Sequence, residues 1–167
     1  MRGKEGSLLI ESIVSINIAL IGLLGVLGLL SSSLSLNRDM GQKIIATYLA
    51  AEGIEVVKNL IDLNYVDGNV AWNERINTGS YELSYNSDSL GNDLMGSSTT
   101  PLKYDSTTGL YGYGSGEPSP FIRTVRIDND RAEEIIVNSF VEWRSKMGPQ
   151  IINLEDHFFD WRVPAGS

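Results

Sequence analysis

The 167-residue chain has no cysteine, which excludes disulfides, thiolate metal sites and thiol nucleophiles. It has no basic cluster. Its 13 Lys and Arg residues lie singly among 21 Asp and Glu, for a formal charge of −8. An acidic surface of this kind repels phosphate backbones, so no nucleic-acid partner is expected. No proline precedes Pro101, so no residue of that kind interrupts a helix in the first part of the chain. No Ser/His/Asp ordering, nucleophile elbow or phosphate loop occurs. The expectation is a protein that is not an enzyme and needs no cofactor. Finally, no charge lies between Glu11 and Arg38.

That uncharged run is the most informative stretch. At about 1.5 Å per helical residue, 12–37 would span roughly 39 Å, more than the apolar core of a bilayer needs. A secretory h-region is only about 7–15 residues long, so the run reads as a retained membrane helix. The short leader MRGKEG (1–6) carries Arg2 and Lys4. Basic residues on the short side place the N-terminus in the cytoplasm and the rest of the chain outside. Within the run, Gly22, Gly25 and Gly28 are three apart. Two readings stand together: small residues that let helices pack closely in a membrane, and a weak point that can stretch, since each glycine costs about 1 kcal/mol of helix propensity relative to alanine.

From 38 to 63 the pattern turns amphipathic. Ile45, Tyr48, Leu49, Val56, Leu60 and Leu63 recur at helical steps. Glu55 and Lys58 are spaced for a weak surface pair, and YVDG (65–68) supplies a stop. One helix is expected over 7–64, apolar nearly all round in its first half. Beyond it the period becomes two. SYELSY (80–85), FIRTVRID (121–128), EIIVNSFVEWR (134–144) and QIINL (150–154) read as strands. Phe121, Val125 and Ile127 share one face; Ile135, Val137, Val141 and Trp143 share another. Short connections favour antiparallel pairing. The Gly/Ser-rich stretch 86–119 reads as a long loop, with PLKYDSTTGLYGYG as a hairpin or decorated loop around Thr108 and Gly109. The fold class is therefore α+β. A long N-terminal helix has a protruding apolar half (7–36), and its amphipathic half (37–64) packs on an antiparallel sheet head (65–167).

Gly6, then the small residue Ser7, then Glu11 five positions after the glycine, on a long apolar helix that runs into an amphipathic one: this combination resembles the class III leader and N-terminal helix of type IV pilins and type II secretion pseudopilins. ATYLAAEGIEVVKNLIDLNY (46–65) and VEWRSKMGPQIINLEDHFFDWR (141–162) are similar to the later helix and closing strands of minor pilins of the pilus-modification type. The resemblance implies cleavage by a prepilin peptidase between Gly6 and Ser7, with N-methylation of Ser7. It implies residence in the cytoplasmic membrane and then assembly into an extracytoplasmic filament at the cell surface. The implied partners are that peptidase, other pilins or pseudopilins, an inner-membrane assembly platform, and membrane lipid before assembly. Ser7 stands where major subunits usually have phenylalanine, which points to a minor subunit. The helix lacks the bending proline common in the family, and the missing cysteines remove the usual C-terminal disulfide loop.

A carboxylate in an apolar helix is costly unless it finds a partner or stays at the interface. Glu11 is one turn and a little beyond Ser7. A neighbour's new amino terminus would neutralise it and fix the axial register between otherwise uniform helices. The alternative leaves Glu11 among lipid headgroups. The rival function is a single-span anchored domain that binds a ligand outside the membrane and never polymerises. Elsewhere, His157 in EDHFFDW has no further metal ligand at a recognisable spacing. Phe158, Phe159 and Trp161 are expected to pin the C-terminus to the head. NSDSLGND (86–93) and DNDR (128–131) carry oxygen ligands but do not match a calcium loop. Tyr104, Tyr111 and Tyr113 are read first as packing their loop onto the sheet, and second as an exposed patch.

Overall fold

The computed structural model describes residues 3–131 and 133–160, with side chains from residue 10 onward. Met1 and Arg2 of the leader, and Trp161, lie outside the described residues. The chain divides into two compact units, Met1–Gln42 and Lys43–Ser167.

The helix α1 (Gly3–Asp67) begins earlier and ends later than the expected 7–64. No breaker in the leader stops it, and its end is set where YVDG places it. Gly68 has φ +67, and its N–H donates to the Asn64 carbonyl at 3.3 Å. A glycine in this conformation closes helices because it carries no Cβ penalty. The buried Asn64 side chain ties the same end down, donating to the carbonyls of Trp72 at 3.1 Å and Glu74 at 2.6 Å.

In the second unit a six-stranded antiparallel sheet comprises β1 (Gly79–Tyr81), β2 (Pro101–Asp105), β3 (Leu110–Gly112), β4 (Glu117–Asp128), β5 (Glu134–Ser145) and β6 (Gly148–Phe159), in the order β3-β2-β4-β5-β6 with β1 on β4. With α1 this is the expected α+β, pilin-like layout. The first strand is shorter than expected because the chain turns away after Tyr81. β6 is longer than 150–154: every residue from Gly148 to Phe159 pairs with β5, although its acidic stretch hides the strand from composition. The segment 86–119 is not one loop. It contains β2, β3 and the start of β4, joined by a turn in which Gly109 has φ +74. Its turn residues outnumber the few apolar positions that mark its strands.

The core lies between the later part of α1 and one face of the sheet, in two apolar clusters. Ala46, Leu49 and Ala50 meet Leu102, Phe121, Val141 and Trp143. Val56, Val57, Leu60 and Ile61 meet Tyr81, Leu83, Val125, Ile127, Ile135 and Val137. The strand faces are thus those expected. The helix face is rotated from the expected one: Leu49, Val56 and Leu60 are buried, but Tyr48 is 73% exposed and Leu63 55%. The buried stripe is centred on Ala46, Ala50 and Gly53, small residues that a search for large apolar side chains passes over.

Candidate assembly helix and the polar waist of the head

From Ile10 to Leu36 fifteen large apolar side chains are exposed, each by half or more. Keeping such groups in water forgoes about 1.5–3 kcal/mol apiece, roughly 20–45 kcal/mol together. That exceeds the ~5–15 kcal/mol stability of a typical domain, so this surface requires an apolar environment. α1 is long and apolar enough to cross a membrane by length and composition. Asn17 donates to the Ile13 carbonyl at 2.7 Å, within the helix.

Gly6 and Ser7 lie in the helical backbone of α1, and Glu11 is an exposed side chain of the same helix. Gly22, Gly25 and Gly28 are helical too. A Cβ built on any of them meets nothing within 4 Å, so no contact within the chain requires glycine there. The roles expected of Gly6, Ser7 and Glu11 would all involve other molecules, and among the described residues these three form no site within one chain.

In the head the least expected residue is Arg123. It is fully buried on the helix-facing side of β4, between the two apolar clusters. Its Nη1 donates to the Leu49 carbonyl at 2.9 Å and to Glu52 Oε1 at 2.8 Å, and its Nη2 donates to the Leu83 carbonyl. One guanidinium thus joins α1 to the segment after β1. Among the described residues Nε has no partner, nor do the buried Ser139 Oγ and Trp143 Nε1. The Arg123 carbonyl accepts from the Tyr113 hydroxyl at 3.0 Å, and burial pushes that hydroxyl up to about 12. Tyr111 stacks edge-on against Phe121 at 6.1 Å. The tyrosines therefore pack their hairpin onto the sheet, with Tyr104 the most open of the three at 41% exposure.

Gly53 faces this waist. A Cβ there would lie 2.5 Å from Ser139 Oγ and 3.0 Å from Val125 Cγ2, and Val125 and Ser139 are register partners. Helix and sheet approach here more closely than a side chain permits. Sequence reasoning missed Arg123, Gly53 and Ser139. A signal existed: in FIRTVRID the arginine occupies an inward slot between Phe121 and Val125.

The only histidine, His157, sits on the outer face of β6. Its Nδ1 is 2.6 Å from Glu134 Oε1 and its Nε2 is 3.2 Å from Glu155 Oε1. The hydrogen bond to Glu134, then that to Glu155, holds its pKa above the usual value. Arg131 also pairs with Glu134, at 3.0 Å, and Phe159 stacks beside the imidazole. Phe158 packs against the core, but Phe159 is 54% exposed and pins nothing. Among the described residues no group of three or more His, Asp or Glu is arranged to hold a metal ion. The Glu55–Lys58 pair forms at 3.3 Å on the exposed helix surface. Comparison with family models, with curated proteins and with solved structures finds no match to this chain.

Proposed function

We propose that this chain is a minor pilin or pseudopilin, a structural subunit that is processed after Gly6 and assembled through its N-terminal helix into a type IV pilus-like filament. The observation that carries the reading is the exposed apolar surface from Ile10 to Leu36 with one carboxylate, Glu11, at its start. Lipid satisfies that surface before assembly, and neighbouring helices satisfy it afterwards. Contacts between successive subunits would be heterologous and non-closing, which generates a helical filament. In that bundle Glu11 meets the methylated amino terminus of Ser7 on a neighbour and sets the axial register. A prepilin peptidase and an inner-membrane platform are the implied accessory partners. The acidic head would lie outside the membrane.

Mass spectrometry of the exported protein tests this directly. The expected mature chain begins at N-methylated Ser7. An exported form that retains MRGKEG refutes the reading and leaves the non-polymerising anchored domain. The register role predicts that Glu11→Ala is exported to the membrane at normal levels but lost from filaments by tenfold or more. Normal incorporation would sink that role.

A further inference from the structure

The two ends of the head differ in charge. β5 runs against the direction of α1: Trp143 packs beside Ala46, and Ile135 beside Val56 to Ile61. The β5–β6 turn at 145–148 is therefore at the end where the chain enters the head. This tip carries Arg144 and Lys146, both exposed, and Met147 at 76% exposure. Lys43, also exposed, enters at the same end. Among the described residues no carboxylate is paired with any of these three cations. The carboxylates at this end lie off the turn itself: Glu117 and Glu142 are exposed on β4 and β5, and Asp105 is engaged by its own hairpin, accepting from Thr107 N–H at 2.8 Å and from the Ser115 hydroxyl at 3.4 Å. The opposite end of the same strands, roughly 40 Å away at about 3.4 Å per residue, gathers Asp128, Asp130, Glu133, Glu134, Asp156 and Asp160 around Arg131, which pairs with Glu134.

We infer that the β5–β6 tip is a membrane-surface contact that docks the head on anionic phospholipid while the apolar helix is in the bilayer. Lys43 is seven positions after Leu36, where the apolar run ends, so chain length alone keeps the entry end within about 25 Å of the bilayer's apolar core. The tip has the chemistry of an interface: two cations that can reach headgroup phosphates, followed by a methionine that gains by leaving water. The charge of −8 repels the head as a whole from an anionic surface, and the separation of charge along the strands turns that repulsion into an orientation, basic tip down and acidic end away. The inference rests on membrane insertion of α1, not on filament assembly.

The test uses the full chain, which has no native cysteine. Gln150→Cys, beside the tip and exposed, receives an environment-sensitive dye. The protein is reconstituted in nanodiscs of phosphatidylcholine alone or with about one-third phosphatidylglycerol. In the anionic discs the dye should shift to the blue and be quenched by headgroup-level spin-labelled lipid, with reversal in high salt. A dye at Glu133→Cys should do neither. Removing Arg144 or Lys146 as glutamine should lower the docked-to-free ratio about fivefold each. Equal spectra in both disc types overturn the inference. So does a dye signal that follows the number of copies per disc and ignores lipid charge, which would make the tip a contact between copies. A chain that fails to co-elute with discs overturns the anchoring itself, and is told apart by that elution.

Discussion

Glu52→Ala removes the anionic partner that a buried guanidinium has among the described residues. Arg123 keeps the Leu49 and Leu83 carbonyls, but its charge is then uncompensated and Nε is still unpaired. Breaking a buried ion pair from one side costs about 3–5 kcal/mol. The Glu52 side chain is 30% exposed, so water replaces part of the lost interaction, and about 2–3 kcal/mol is the expectation. For a unit of this size each kcal/mol moves the midpoint by about 3–5 °C, which predicts a fall of about 6–15 °C. Arg123→Met removes the charge instead. Glu52 can then turn to water, and the main loss is the partner of the Leu83 carbonyl, about 1–2 kcal/mol. The order of effects is the test. Glu52→Ala should be the worse single change, and adding Arg123→Met to it should restore stability. Thermal unfolding of the full chain in detergent, followed by near-ultraviolet circular dichroism from Trp72 and Trp143, measures all three variants. A double variant less stable than Glu52→Ala would refute the argument that an uncompensated buried charge dominates.

Two further expectations concern the same head. The His157 imidazole protons, unique in the spectrum, should titrate with a midpoint above 6.5, and Glu134→Gln should lower it. Because the folded pKa is raised, the stabilising contribution is complete below about pH 6.5 and is lost as pH rises through the folded value. The denaturation midpoint should therefore drop across that window, and should not do so in His157→Gln; a wild-type imidazole midpoint at or below 6.5 refutes the pairing seen with Glu134 and Glu155. Gly53→Ala gains about 1 kcal/mol of helix propensity but drives a Cβ to 2.5 Å from Ser139 Oγ, so a net loss of about 1–3 kcal/mol is expected. Ser139→Ala, which deletes that unpaired oxygen, should recover part of the loss in a double-mutant cycle. Strict additivity of the two changes would show that the contact is not the cause.

The layout was legible in the sequence because it is written in period. A charge-free run of bilayer length gives one helix, and alternation in 121–128 and 134–144 gives two strands whose inward residues are the buried ones. What was hidden followed different rules. The edge strand β6 is exposed along much of its length; Ile152, Leu154 and Phe158 touch the core, but the rest is held by pairing with β5, and pairing leaves no mark in hydropathy. The helix stripe escaped because Ala46, Ala50 and Gly53 were chosen for close approach, not for apolar area.

Arg123 was hidden because a charge at an inward position contradicts the pattern that reveals the strand. That contradiction has a physical use. The later part of α1 presents small and aliphatic residues at repeated helical steps, and such a surface could slide along the sheet by a turn with little change in burial. A fully buried guanidinium that must reach Glu52 and the Leu49 carbonyl, with Gly53 the neighbouring point of close approach, allows one position only. The register of the helix on the head is thus set by a polar exception in an apolar surface. The role proposed for Glu11 between subunits applies the same logic to the other half of the helix, where uniform apolar contacts also supply attraction without position. If both hold, charge removal should mis-set register before it abolishes association in either place. For the head, disulfide trapping of an exposed helix residue to β2 or β3 would then show more than one partner position in Arg123→Met and a single position in the unaltered chain. A single position in both would confine the role of Arg123 to stability.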